Sequence, residues 1–214
     1  MPRRSNPLFA LAATALMAVP SGAAAQSLDI LLNCSGCHTL GPQTGNPDLP
    51  PRFPVLNGQP ARYIEQQLEA FRTGERRHRQ MMLSAQALGV GGAPAMARMY
   101  AYSYRPPLVF TGDPERMDIA IALHENGAWE RGLPSCASCH ALDDGPGIDT
   151  SARLAPRLHG QPLGYIAKEL RAYADGTRTT GPMGRMQAYA GLLTAAEIEA
   201  LSAYYAAFDE ETPQ

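Results

Sequence analysis

The sequence predicts an all-α protein made of two tandem copies of one small helical domain. Three observations carry this. The pentapeptide C-x-x-C-H occurs twice, at Cys34–His38 and Cys136–His140, 102 residues apart. The residues that follow each pentapeptide repeat at the same offset. The apolar residues of both copies fall at helical spacing, and no convincing strand alternation stands out.

Taken in chain order, residues 1–25 read as a signal peptide. Arg3 and Arg4 form a positive start, Leu8 to Val19 is the apolar run, and Ala23-Ala24-Ala25 offers a small-residue cleavage site. The run is shorter than the roughly 20 residues a membrane span needs. A retained anchor is therefore the weaker reading. The mature chain is expected in a bacterial periplasm.

Domain one is assigned to residues 26–105, a linker to 106–112 and domain two to 113–214. Pro54-Val55-Leu56-Asn57-Gly58-Gln59-Pro60 corresponds to Pro156-Arg157-Leu158-His159-Gly160-Gln161-Pro162. Tyr63 and Ile64 correspond to Tyr165 and Ile166, Gly74 to Gly176, and Arg76 to Arg178. Ile64, Leu68 and Phe71 share one face of a helix that Gly74 stops; Ile166, Leu170 and Tyr173 repeat it. Pro106-Pro107 ends domain one. Asp113-Pro114 reads as the N-cap and first turn of a helix carrying Met117, Ala120, Ile121 and His124. Thr194-Ala195-Ala196-Glu197 is a capping box opening a helix with Ile198, Leu201 and Tyr205 on one side. Copy one has Gly89-Val90-Gly91-Gly92 in the corresponding place, so its last helix is expected to start near Pro94.

C-x-x-C-H is the attachment signal of haem c. Two thiols on one helical turn can add to the two vinyl groups on one porphyrin edge, and the next residue sets its imidazole under the iron. Cys34, Cys37, Cys136 and Cys139 are thus assigned as thioether attachments of two covalent haems, and His38 and His140 as proximal iron ligands. A zinc ribbon places its two C-x-x-C pairs about 15–20 residues apart, far closer than here. A thioredoxin-like pair needs βαβ surroundings. Two disulfides suit the periplasm but do not call for a histidine after each pair.

The sixth iron position needs a second ligand, and methionine sulfur is the usual partner in electron-carrying haem c. Copy one offers Met81 and Met82; copy two offers Met183 and Met186. The pattern Met-x-x-x-Ala-x-x-Leu favours Met81 and Met186, whereas the rigid offset of 102 pairs Met81 with Met183. Both alternatives stay open. The remaining histidines read blandly: His78 on a solvated face, His124 in packing, and His159 in a place where copy one has Asn57.

With both C-x-x-C-H motifs, both P-x-L-x-G-Q-x-x-x-Y segments and the methionines before a final helix ending Ala-Tyr-Tyr, the chain resembles the dihaem cytochrome c4 family over nearly its whole mature length. The resemblance implies two class I cytochrome c domains related by pseudo-twofold symmetry, with the haems facing across the interface. It implies that the Pro54 and Pro156 carbonyls accept hydrogen bonds from Nδ1–H of His38 and His140, which would orient each imidazole and raise its basicity. It implies one-electron transfer in a respiratory chain rather than enzyme catalysis, often toward a terminal oxidase.

Charge narrows the partners. The formal net charge of −2 argues against nucleic acid. Residues 26–110 hold 8 basic and 5 acidic side chains, and residues 111–214 hold 8 and 15, so the molecule is expected to be dipolar. Arg72, Arg76, Arg77 and Arg79 precede Met81 and are expected to steer an acidic partner toward haem one. The expected partners are redox proteins: a quinol–cytochrome c reductase or a dehydrogenase as donor, and a terminal oxidase as acceptor. Peripheral association with a membrane stays open. Two other readings remain: the cytochrome subunit of a dehydrogenase such as a sulfide-oxidising flavocytochrome, and a catalytic dihaem peroxidase, which would need an open iron.

Overall fold

The computed structural model describes residues 32, 34–38, 53–140 and 153–210. The expected signal peptide and its cleavage site lie outside the described residues. The described chain forms eight α-helices and one two-stranded sheet. Two short 3-10 turns lie among them.

Domain one is built from α1 (Ser35–His38), α2 (Ala61–Thr73) and α3 (Arg79–Ala101). Ile64, Leu68 and Phe71 on α2 pack against Ala85, Leu88, Met96, Ala97 and Tyr100 on α3. Gly74 caps α2 in the left-handed conformation, φ 81°. There it reverses the chain without the Cβ clash other residues would meet. α3 is two helical segments joined at Gly89, whose φ of 63° and ψ of −178° are open essentially to glycine alone. The last helix of domain one therefore resumes right after Gly89, four residues ahead of Pro94.

Domain two follows the same plan with more pieces: α4 (Asp118–Glu125), α5 (Ala137–His140), α6 (Tyr165–Ala174), α7 (Arg185–Ala190) and α8 (Ala195–Ala206). The expected capping box opens α8, with Thr194 and Glu197 each accepting from the other's backbone N–H. The helix expected from Asp113 starts later. Asp113 Oδ1 accepts from the Glu115 N–H at 3.1 Å, a local turn that competes with helix, and regular helix begins at Asp118. Its core gathers Ala120, Leu123, Leu133, Ile166, Leu201, Tyr204, Tyr205 and Phe208.

A two-stranded antiparallel sheet pairs β1 (Leu108–Phe110) with β2 (Phe208–Glu210), placing Val109 opposite Asp209. Three residues are too few for a period of two to show in sequence. The segment read as a linker thus also serves domain two, since Leu108 and Phe110 pack on its core.

The copies meet through equivalent residues. The Gln59 side chain binds the backbone of Arg157, donating to its carbonyl and accepting from its N–H, both at 2.9 Å. Gln161 does the same to Val55, at 2.9 and 3.0 Å. Each glutamine therefore reads the backbone of the other domain at the position equivalent to its own neighbour. Between them, Arg105 donates to the carbonyls of Asn57 and His159, equivalent positions in the two turns. Charged hydrogen bonds of this kind contribute about 1.5–3 kcal/mol each. Arg105→Ala is expected to split one calorimetric transition into two, the domains melting separately. A single transition at an unchanged midpoint would rule out this clamp.

Candidate haem sites

Both pentapeptides fold as a single helical turn. The His38 N–H donates to the Cys34 carbonyl at 2.9 Å, and His140 repeats this with Cys136, also at 2.9 Å. No disulfide joins the four cysteines. Each imidazole is oriented from behind. Nδ1 of His38 lies 2.8 Å from the Pro54 carbonyl, and Nδ1 of His140 lies 2.7 Å from that of Pro156. A carbonyl only accepts, so Nδ1 carries the proton and Nε2 keeps the lone pair a metal requires. Burial pushes the His140 pKa down and the Pro156 contact opposes it, leaving a neutral ring. The prolines cannot donate, which leaves their carbonyls as the feature these positions contribute.

Between the two motifs runs one cavity of about 1430 Å³, lined by His38, Met81, His140 and Met186. It exceeds the usual 300–1,000 Å³ of a single ligand pocket. The methionines separate cleanly. Met81 and Met186 line this cavity, whereas Met82 lines a smaller cleft with Arg77 and Leu83. Met183 is 78% exposed, in a left-handed backbone at φ 58°. The offset between copies also changes. The Gly58 and Gly160 N–H groups, 102 apart, donate to the carbonyls of Tyr100 and Tyr205, which are 105 apart. Copy two thus carries three extra residues ahead of α7, where Pro182–Gly184 forms a 3-10 turn. Met81 and Met186 share the later offset of 105.

The seam beside this cavity holds polar residues that the sequence reading assigned otherwise. After Gly74 and Gly176 the chain doubles back, with the Arg76 N–H on the Ala70 carbonyl (2.9 Å) and the Arg178 N–H on that of Ala172 (2.8 Å). Each guanidinium then stacks on its own domain's ring, Arg76 on Phe71 at 4.7 Å and Arg178 on Tyr173 at 4.5 Å. Each reaches across to the other domain, Arg76 to the Tyr165 hydroxyl (3.1 Å) and Arg178 to that of Tyr63 (3.3 Å). Arg76 therefore does not belong to an exposed steering patch. Arg72 is held by Glu69 at 2.7 Å, which leaves Arg77 and Arg79 as the exposed arginines of that run. The readable signal was that Arg76 and Arg178 recur at one offset, which a merely solvated charge run has no reason to do.

His78 stands at the start of α3, accepting from the Met81 N–H at 3.5 Å, so it caps the helix that presents Met81. His124 and His159 form a buried aromatic cluster with Tyr204, Tyr205 and Phe208. His124 Nδ1 meets the Tyr205 hydroxyl at 3.0 Å. Neither ring nitrogen of His159 has a hydrogen-bond partner among the described residues. Burial, then His124, Arg105 and His140, push its pKa down to about 3. The unfolded chain binds this proton below about pH 6.5, the folded chain only near 3, so stability present above 6.5 drains away as pH falls between them. His159→Asn, the residue copy one uses, is expected to move the acid-unfolding midpoint of domain two downward. An unmoved midpoint would show that His159 carries no acid lability.

A repeated C-x-x-C-H turn, each with its histidine braced by a proline carbonyl and open to one cavity, defines a dihaem c-type cytochrome. Comparison with known proteins agrees. Residues 128–204 match a family model described as cytochrome c oxidase, cbb3-type, subunit III. The chain is 33% identical over 178 residues to a protein of Thiomonas intermedia named thiosulfate dehydrogenase electron acceptor, covering 82% of this chain and 78% of that one. It is 34% identical over 178 residues to cytochrome c4 of Pseudomonas aeruginosa, covering 80% and 81%. Its fold superimposes on the crystal structure of reduced cytochrome c4 from Pseudomonas stutzeri with a TM-score of 0.71 and 29% identity, over 88% of this chain and 98% of that one. The chain belongs to the cytochrome c4 family. It is an electron-transfer protein that carries two covalent haem c groups per chain, in two tandem class I cytochrome c domains.

Proposed function

We propose that the protein is a periplasmic one-electron carrier that accepts electrons from a sulfur-compound dehydrogenase and passes them to a terminal oxidase. The single observation that carries this reading is the shared cavity. Two braced histidines and two methionines line one continuous cavity, which suits an electron that enters through one domain and leaves through the other. When bound, each haem supplies the one-electron redox change. The protein supplies attachment through Cys34, Cys37, Cys136 and Cys139, and axial ligation through His38 with Met81 and His140 with Met186. Met81 and Met186 are preferred over Met82 and Met183 because they border the cavity. With Met81 and Met186 as ligands, neither iron would offer the open position that peroxidase chemistry needs.

The dehydrogenase partner is suggested by the Thiomonas relative, which is named as an electron acceptor of thiosulfate dehydrogenase. Among the described residues no helix is long and apolar enough to cross a membrane, and residues 1–25 are proposed to be removed on export. The test is reduction of the purified dihaem protein by thiosulfate plus a thiosulfate dehydrogenase, followed at the haem α-band. Catalytic reduction of both haems supports the reading. No reduction, with normal haem content, would overturn this choice of donor. Stable copurification with a larger dehydrogenase chain would favour the subunit reading instead.

A further inference from the structure

The seam cluster breaks the pseudo-twofold at the position that lies between its two arginines. Arg76 matches Arg178 and Tyr63 matches Tyr165, but Gln67 matches Glu169. Gln67 Oε1 accepts from Arg76 at 3.0 Å and from Arg178 at 2.8 Å. Glu169 Oε2 likewise meets both guanidiniums, Arg76 at 3.0 Å and Arg178 at 2.7 Å. Both side chains thus sit between the two arginines, near the axis that relates the domains. Burial works to raise the Glu169 pKa, but Arg76 and Arg178 outweigh it and hold the carboxyl below the ordinary range. Burial pushes the Tyr165 pKa up, so this tyrosine stays neutral while its hydroxyl oxygen accepts from Arg76. Two guanidiniums therefore face one carboxylate. Arg76 is 9% exposed and Arg178 is 5% exposed, and both border the cavity.

A buried charge is screened little by salt, and an excess cation favours the reduced, less positive haem. We infer that this cluster sets the reduction potentials of both haems together, and that Glu169, its one carboxylate, fixes the charge with which it does so. The inference rests on the reading that both haems occupy the shared cavity. It assigns a role to Gln67 and Glu169 that ligation and attachment do not. A single helix end or surface charge would act on one haem; a charge on the axis acts on both.

Three variants test it by spectroelectrochemical titration, with haem count and the sulfur-to-iron charge-transfer band as controls. Glu169→Gln removes the carboxylate and is expected to raise both potentials. Gln67→Glu adds one, keeps the acceptor geometry and is expected to lower both. A unit charge changed in a low-dielectric seam moves a one-electron couple on the order of tenfold, about 59 mV. The double exchange Q67E/E169Q restores the net charge and is expected to return both potentials to wild type. The inference is overturned if the single variants shift the same way, if only one haem responds, if both stay within about twofold, or if the exchange fails to restore. Should Glu169→Gln assemble poorly, Gln67→Glu still carries the test of sign. A wild-type protein with fewer than two haems, or without the charge-transfer band, would instead break the reading beneath it.

Discussion

Met186→Ala is expected to open the second haem to carbon monoxide while the first stays closed. The side chain lies on α7 and borders the same cavity as His140, and no other methionine of that segment does so. Met183, three residues earlier, is 78% exposed in a backbone conformation set by the extra turn, so it offers no replacement. Losing the thioether removes the ligand that raises the potential of a His/Met haem. The expected spectrum therefore shows half the sulfur-to-iron charge-transfer band, a carbon monoxide adduct at one haem in two, and a lowered potential for that haem. The parallel Met81→Ala is expected to do the same to the first haem. If Met186→Ala stays closed and Met183→Ala opens the site, the ligand assignment is reversed.

Gly127→Ala is expected to cost about 3 kcal/mol or more in domain two, from a left-handed backbone and an overpacked contact acting together. Gly127 has φ 72°, and a Cβ there would stand 2.5 Å from the Leu133 carbonyl oxygen and 2.5 Å from the Pro134 carbonyl carbon. These are backbone atoms and cannot swing aside. They belong to the loop that leads into Cys136, closed by the pairing of Ala128 with Leu133. The effect should reach function through assembly: a displaced Cys136 turn attaches haem poorly. Denaturant titration should show early melting of domain two, and the pyridine haemochrome count should fall toward one per chain. Normal stability with two haems would show that the loop can yield.

Much of this was legible in the residues. The paired C-x-x-C-H motifs specify two haem attachments because the chemistry needs two thiols and an imidazole within one helical turn. Gly74 and Gly176 mark helix ends because a left-handed reversal excludes most side chains. Thr194 and Glu197 form the capping box their spacing announces. The sheet was not legible, because Leu108–Phe110 and Phe208–Glu210 are each three residues long and find each other across the chain. The late start of α4 was hidden because Asp113 suits an N-cap and a local turn equally well, and only its neighbours decide.

What the sequence by itself determined is the chemistry: two covalent haems, a duplicated helical domain, and a short set of methionines able to close each iron. Such features depend on residue type and on spacing within a turn or two, so they survive without knowledge of packing. What only the tertiary structure decided is which groups meet across the two copies. The change of offset from 102 to 105 that aligns Met81 with Met186 shows in the Tyr100 and Tyr205 hydrogen bonds. Arg76 reads as one more surface arginine until the turn after Gly74 folds it back against Tyr165 and Glu169. The charge that the two haems share is set between residues about a hundred positions apart, and a contact at that separation exists only once the domains have docked.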